Sequence, residues 1–250
     1  MKDPMQIITG MHRSGTSLAA RLFLNAGVPM GPPDDFYRAD RWNPQGYHEE
    51  RGVLLLNIRL IHGPWGKFSY LHLPRKSTVL RRAFTAKEEI AATALRHEGH
   101  VVKDARFCLT LPAWREYGVP IDGVLVCLRE PVEVVLSLKK RNGVPTRLGY
   151  DLWHAHYEAL LGSLEDVPVH YLHYNRLLDP ALFLNEVFSS FDFFKVGVTG
   201  EQLAALGRRW VDVRMNHFFG ARSKYPEKVE KLWRELLGRH ARQISVRVRV

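Results

Sequence analysis

The densest chemistry in the chain is Arg13-Ser14-Gly15-Thr16-Ser17, one cation and three hydroxyls gathered around a glycine. These residues close a loop that opens at Gly10, directly after a short apolar run at Ile7 and Ile8. Beyond the loop, apolar residues recur at Leu18, Leu22 and Ala26, which is helical spacing. A strand, a glycine-bounded loop and a helix start make an anion cradle, because backbone N–H groups converge there and the helix dipole favours negative charge. Thr16 and Ser17 add hydroxyl donors at the first helical turn. The spacing nearly matches G-x-x-x-x-G-K-[ST], but Thr16 stands where a nucleoside-triphosphate enzyme places its lysine. The cation here is Arg13, inside the loop. The pattern predicts a phosphate-type anion site that lacks the lysine of ATP hydrolysis.

Further charged groups fall where an α/β sheet presents its ligands, beyond the carboxyl ends of the strands. His100–Arg106 reads as a short strand ending in Lys103, Asp104 and Arg106. Gly123–Leu128 is an unbroken apolar run of the parallel-sheet kind, followed by Arg129-Glu130-Pro131. Pro131 suits the first position of a helix Val132–Arg141, which places Ser137 two turns in. Arg129 offers a guanidinium fork to an anion, where a nucleotide kinase would carry a magnesium-holding Asp. A third group arrives from a long loop, Gly27–Arg51. Its turn Asn43-Pro44-Gln45-Gly46 delivers Tyr47, His48, Glu49 and Glu50 to the head of a helix running to about Ile61. Glu49 is there either a base or a carboxylate compensating the helix dipole. The loop's aromatics, Phe36, Tyr37, Trp42 and Tyr47, either line a pocket or pack beneath the loop.

These groups need a scaffold, and the pattern of elements supplies one. Strands at the Ile7–Ile8 run, His100–Arg106, Gly123–Leu128 and Val169–Tyr174 alternate with helical segments, which predicts one three-layer α/β domain over residues 1–250 with a central parallel sheet of the P-loop nucleotide-kinase kind. Helices are expected at Thr85–His97, with Ala91, Ala92, Ala94 and Leu95 as its apolar face, and at Tyr150–Leu164, Ala181–Phe191, Gly200–Arg209 and Glu227–Arg239. Residues 200–250 thus form a basic, helical C-terminal part, and Ser245–Val250 reads as an edge strand or a disordered tail. His62–Thr78 reads as a loop carrying Trp65, Phe68 and Tyr70. The formal net charge of +10 suggests an anionic ligand, a nucleic acid or an acidic surface without choosing among them. Cys108 and Cys127 lie in apolar runs without metal-ligand spacing, so buried reduced thiols are expected. No apolar run approaches membrane-spanning length and the N-terminus lacks a signal-peptide core, so a cytoplasmic protein without a membrane span is expected.

Taken together, the motifs resemble those of a family. Gly10-x-x-Arg13-Ser14-Gly15-Thr16-Ser17 resembles the 5′-phosphosulfate loop of sulfotransferases that use 3′-phosphoadenosine 5′-phosphosulfate (PAPS). Leu128-Arg129-Glu130-Pro131 with Ser137 resembles their 3′-phosphate motif, with Glu130 in place of the usual Asp. Asn43-Pro-Gln-Gly-Tyr-His-Glu49 and Lys103-Asp-Ala-Arg106 are similar to two segments of bacterial members, with Ala105 in place of Pro. Tyr174-Asn-Arg-Leu-Leu-x-Asp-Pro resembles the family's Tyr-Glu-Asp-Leu turn. The matches run in family order over residues 5–195. The family's last 3′-phosphate loop has no clear counterpart, and the basic stretch Arg208–Lys224 is its candidate.

The resemblance implies a division of labour. Gly10, His12, Arg13, Ser14, Gly15, Thr16 and Ser17 would hold the 5′-phosphosulfate, and Arg129, Ser137 and Tyr174 the rest of the donor nucleotide. Arg13 and Lys103 would neutralise the transferring group, with no metal ion. Glu49 would be the general base, with His48 and Asp104 as alternates. His72, in His72-Leu73-Pro74, resembles the base motif of animal members but precedes Lys103 in the chain, where that motif should follow it. The acceptor would be a small molecule or glycan bearing a hydroxyl or amine. Two other classes compete: a P-loop kinase, which lacks its lysine and its strand-end Asp here, and a non-enzymatic basic protein binding nucleic acid or acidic glycan, for which no recognition motif accompanies the charge.

Overall fold

Four short parallel strands carry the Gly10–Ser17 loop, Lys103, Arg129 and Tyr174 on their carboxyl ends, while the Asn43–Glu49 turn leads into a helix. In the computed structural model, which describes residues 3–64 and 73–247, β1 (Met5–Thr9), β2 (Val101–Lys103), β3 (Ile121–Leu128) and β4 (Val169–His173) form one sheet in the order β2-β1-β3-β4. Ile7 pairs with Val102 on one side and Val124 on the other, and Val126 pairs with Tyr171. The chain goes from β1 outward to β2 and then back across β1 to β3. That reversal opens a crevice beside β1, where doubly wound sheets bind their ligands.

Both faces of the sheet are covered, which is why its strands read as apolar runs rather than alternating ones. Ile8, Leu125, Cys127 and Leu172 face one layer, made by α1 (Thr16–Asn25), α9 (Pro180–Phe193) and α10 (Gly200–Trp210). Ile7, Val124, Val126 and Tyr171 face the other. That second layer holds α2 (Arg51–His62), α5 (Phe107–Glu116), α6 (Pro131–Asn142), α7 (Thr146–Leu161) and α11 (Glu227–Arg247). The three-layer parallel architecture expected from the sequence is the one observed. Both cysteines are free and buried, and burial pushes the Cys108 thiol up to about 12.

Several elements depart from expectation. Part of the stretch read as a loop and the segment after it form α3 (Lys76–Thr85), held to the core by Val79 and Ala83. These lie one helical turn apart, and two contacts among charged residues leave little periodic signal. The helix expected from Thr85 begins after a break at Ala86, as α4 (Lys87–Arg96). Its core side is Ile90 and Thr93, whereas Ala91, Ala92 and Leu95 are exposed. The tail is neither strand nor disordered through Arg247, because α11 continues to that residue. The Gln243 amide explains the extension: it accepts from the Tyr171 N–H (2.8 Å) and donates to the Val169 carbonyl (2.6 Å). The side chain thus stands in for the strand that the edge of β4 lacks. Trp65, Phe68, Tyr70, His72 and the last three residues lie outside the described part. No helix among the described residues is long and apolar enough to cross a membrane.

Candidate active site

The loop after β1 is shaped by two glycines. At Gly10, φ is 144° and a Cβ would stand 2.5 Å from the Cys127 carbonyl oxygen of β3. Gly15 begins α1 with φ at 91°, and a Cβ there would meet the Tyr174 ring at 2.2 Å. Tyr174, the first residue of the short helix α8 (Tyr174–Leu177) after β4, therefore packs on the cradle itself. Arg13 holds φ at 74°, a left-handed conformation that side chains other than glycine seldom adopt. Ser14 does not face the cavity. It is fully buried, its hydroxyl meets the Tyr157 hydroxyl at 2.9 Å, and its N–H donates to the Met11 carbonyl at 3.1 Å. Gly10 and Ser14 build the loop, while His12, Arg13, Gly15, Thr16 and Ser17 line a cavity of about 280 Å³.

Beside the cradle, the end of β2 presents Lys103, only 3% exposed. Its Nζ donates to Glu49 Oε1 (2.6 Å) and to the Tyr47 carbonyl (3.1 Å), and stands 3.4 Å from Ser17 Oγ. Glu49 Oε2 receives Arg106 Nη1 at 3.4 Å. Burial alone would raise the Glu49 pKa, but the charges and hydrogen bonds of Lys103 and Arg106 hold its carboxyl below the usual range. The dipole of α2 is served instead by Glu50, whose carboxylate accepts from Gly52 N–H and Val53 N–H (2.8 Å each) and meets His97 Nε2 at 3.2 Å. These contacts outweigh burial and bring Glu50 down to about 2. The helix start thus has its own acid, and Glu49 faces the cavity beside Lys103.

The two alternates to Glu49 are placed elsewhere. Asp104 is fully buried, accepting from Arg106 N–H (2.9 Å), Arg106 Nη1 (2.8 Å) and Asn57 Nδ2 (3.0 Å). It closes the turn after β2 and does not line the cavity. His48 sits at φ 55° with its ring against Phe36, also off the cavity, and burial with the charges of Arg21 and Lys103 brings it to about 4. His12 does line the cavity, kept neutral by burial and by Arg106 and other cations. The loop carrying Glu49 is organised around Asp40, whose Oδ1 accepts from Trp42 N–H, Asn43 N–H and the Tyr47 hydroxyl at 2.8, 3.0 and 2.8 Å. Trp42 and Tyr47 line the cavity; Phe36 and Tyr37 do not.

At the ends of β3 and β4 the arrangement is different. Arg129 is 5% exposed. Its Nε donates to Glu133 Oε2 (2.9 Å), its Nη1 to the Arg13 carbonyl (2.9 Å) and its Nη2 to Asn216 Oδ1, while Tyr174 lies under it at 4.7 Å. Glu133, fully buried in the first turn of α6, also accepts from Asn175 Nδ2 (2.8 Å), Asn216 Nδ2 (2.8 Å) and Gly220 N–H (3.1 Å). Arg129 and Ser137 meet through Arg13, whose Nε donates to Ser137 Oγ at 2.8 Å. Three of five guanidinium N–H donors of Arg129 are engaged by these contacts, and its remaining edge lines the cavity.

Sequence reasoning missed four of these residues. Glu133 and Asn216 tie α6 to the segment after α10, which brings Asp212, His217 and Phe218 of the Arg208–Lys224 stretch to the cavity. Arg21 lines the cavity one turn after Ser17 on α1; it is 4% exposed, bonds Gln45 and lies over Trp210 at 5.8 Å. Burial brings it down to about 10. Its signal was available, since residues four apart share a helix face. Trp210 and Asn216 fall within the basic stretch Arg208–Lys224, which the sequence marked only as a whole. Among the described residues, no group of three or more His, Cys, Asp or Glu side chains comes together as metal ligands would.

No protein-family profile matches the chain, and no curated protein matches it. Solved structures do. The sulfotransferase domain from the Synechococcus PCC 7002 olefin synthase shares 14% identity at a TM-score of 0.58, over 95% of this chain and 96% of that one. The sulfotransferase domain from the curacin biosynthetic pathway shares 15% identity at a TM-score of 0.54, over 95% of this chain and 98% of that one. At such identities the likeness establishes the fold, a sulfotransferase fold.

Proposed function

We propose that the protein is a sulfotransferase that moves a sulfonate from PAPS to an acceptor hydroxyl or amine. The observation that carries this reading is Lys103, whose ammonium joins Ser17 of the anion cradle to the cavity-facing carboxylate of Glu49. One cation thus spans the place of the leaving phosphate and the place of an acceptor proton. The fold of the structural neighbours supports the same reading.

The residues suit the chemistry of the transfer. The bond between sulfur and the bridging oxygen of PAPS breaks, and a bond from sulfur to the acceptor oxygen forms. The acceptor proton passes to Glu49, and the charge left on the bridging oxygen stays on the 5′-phosphate of the product, 3′-phosphoadenosine 5′-phosphate (PAP). Thr16, Ser17 and the backbone of the loop hold that phosphate. Arg13 and Lys103 oppose the developing charge, and fixed charges aimed at such a site are usually the largest catalytic contribution. When the sulfonate draws Lys103 toward the cradle, Glu49 loses its strongest partner and its affinity for a proton rises. Because arginine and lysine supply the charge that magnesium supplies in kinases, transfer should need no divalent ion.

A thermal-shift comparison of PAP, ATP with magnesium and a short DNA duplex tests the assignment. Stabilisation by PAP alone supports it; stabilisation by ATP with magnesium, or by DNA, in place of PAP overturns it. Transfer of label from PAPS should persist in excess chelator.

A further inference from the structure

We propose that the acceptor is itself an anion, a hydroxyl compound carrying a carboxylate or phosphate that Arg41, Lys140 and Arg141 hold at the mouth of the cavity. The proposal rests on the sulfotransferase reading and names the substrate class of the same site.

One face of α6 defines the direction in which an acceptor must extend. Ser137, Lys140 and Arg141 stand at i, i+3 and i+4, share that face, and all line the cavity. Ser137 bonds Arg13 of the cradle, so the two cations lie about one turn, roughly 5.4 Å, further along the helix. There Arg141 meets the loop that carries Glu49: its Nη2 lies 2.5 Å from the Tyr47 hydroxyl and 3.3 Å from Asp40 Oδ2, and its guanidinium 5.3 Å from the Tyr47 ring centre. Arg41 comes from that same loop, its guanidinium 5.1 Å from the ring of Trp42. A molecule whose hydroxyl reaches Glu49 therefore lays its remaining body among these three cations.

The charge balance makes them surplus to the donor. The anionic groups of PAPS fall to the cradle end, which has its own cations in Arg13, Arg21, Lys103 and Arg129. The acids lining the cavity among the described residues are Glu49 and Asp212. Glu49 is held by Lys103 and Arg106, and Asp212 by Arg214, at 2.9 Å to Nε. Among the described residues, only Asp40 opposes Arg141 at the mouth, leaving Arg41 and Lys140 with a ring and solvent for company. An anionic acceptor supplies the missing charge. A neutral one leaves it uncompensated and gains nothing from it.

The test has two stages, each with its own failure. Titration of the protein with PAP reads the donor assignment; absence of binding strikes the sulfotransferase reading, and the second stage then proceeds on the unliganded protein. In the second stage methyl 4-hydroxybenzoate, 4-hydroxybenzoate and 4-hydroxyphenyl phosphate are titrated against PAP-saturated protein. Affinity should rise from ester to monoanion to dianion, by about tenfold per step, the scale of one charge-assisted contact. Arg41→Ala with Lys140→Ala, both at exposed positions, should erase the preference while PAP affinity stays within about twofold, and Lys140→Glu alone should reverse it. The proposal is overturned if the ester binds as well as the anions, if none of the three binds, or if the preference survives in the double variant. It is overturned equally if the double variant loses PAP and the anions alike, since the cations would then serve only to steer the donor inward.

Discussion

Two strand ends in this molecule carry a buried cation, and they use it in opposite ways. At the end of β2, Lys103 is shared between the Glu49 carboxylate, a carbonyl and the hydroxyl of Ser17, and one of its partners also belongs to Arg106. All three of the Lys103 ammonium donors are placed, but on three partners of different kinds, and the one to Ser17 is long at 3.4 Å. At the end of β3, Arg129 is locked by Glu133, the Arg13 carbonyl and Asn216, and Glu133 in turn receives four donors, one from Arg129 itself and three from α8 and the C-terminal loop. The difference teaches where a transfer reaction leaves freedom. In the proposed transfer, Lys103 would follow the moving charge by exchanging one of its several partners for the sulfonate. Arg129, which frames the loop, is held by acceptors that are themselves fixed by other contacts.

The β3 end therefore answers to stability. Glu133→Ala leaves Arg129 buried without a counter-ion and three further donors without an acceptor. Removing one member of a buried pair costs about 3–5 kcal/mol. Urea unfolding should register that loss, and a change under 1 kcal/mol would dissolve the contrast between the two ends. Glu49→Gln, at the other end, keeps the shape and an acceptor for Lys103 and should lower turnover about a hundredfold or more, the scale of a general base. PAP affinity should change little. The pH profile sharpens the same point: because Lys103 and Arg106 hold Glu49 low, it stays ionised as pH falls, so kcat/KM should remain flat from neutral pH down to about 5. A fall with a midpoint near 6.5 would move the base to a histidine, and His12 and His217 both line the cavity.

The contrast also marks how far the sequence was legible. Met5–Ala26 was readable because glycines and helical periodicity are local signals, and Pro131 at the start of α6 was readable for the same reason. Even the swap between Glu49 and Glu50 was half visible, since the turn before them sets which carboxylate reaches the helix start. The clamp was not. Glu133 reads as an ordinary first-turn acid, and its partner Asn216 lies 83 residues away. Ser14 reads as one more hydroxyl of an anion loop, yet Tyr157, 143 residues on, turns it inward. Such contacts follow from which helix the sheet places opposite, and no window of neighbouring residues encodes that. The helix α4 was legible but its inward face was not, for a related reason: alanines are as compatible with an exposed face as with a buried one, and Ile90 with Thr93 won the core.

Arg129→Lys tests whether the clamp also reads the ligand. Lysine keeps a charge for Glu133 but loses the fork that reaches Arg13 and Asn216 and the two N–H groups left over for the cavity. Were those two groups to meet the 3′-phosphate of the donor, PAP should weaken by about tenfold while AMP, which lacks that phosphate, changes by less than about threefold. Equal weakening, measured by calorimetric titration of both nucleotides, would make Arg129 a structural clamp and nothing more.

The smallest expected effect separates the two ends most finely, because Ser137 both lines the cavity and holds Arg13, whose carbonyl receives Arg129. Its Oγ accepts from Arg13 Nε at 2.8 Å, and Arg13 in turn gives its carbonyl to Arg129. The hydroxyl's own hydrogen remains to donate, and the side chain lines the cavity. Ser137→Ala removes both interactions, each a single hydrogen bond of about 0.5–1.5 kcal/mol. As a ligand of the 3′-phosphate, the serine contributes a few-fold loss of PAP affinity that AMP does not share. As a support for Arg13, it contributes a few-fold loss of kcat with PAP affinity intact, because the guanidinium then wanders from the place where charge develops. Both losses are expected together, each about threefold. A variant that loses kcat alone assigns Ser137 to the loose end of the cavity, and one that loses PAP alone assigns it to the clamped end.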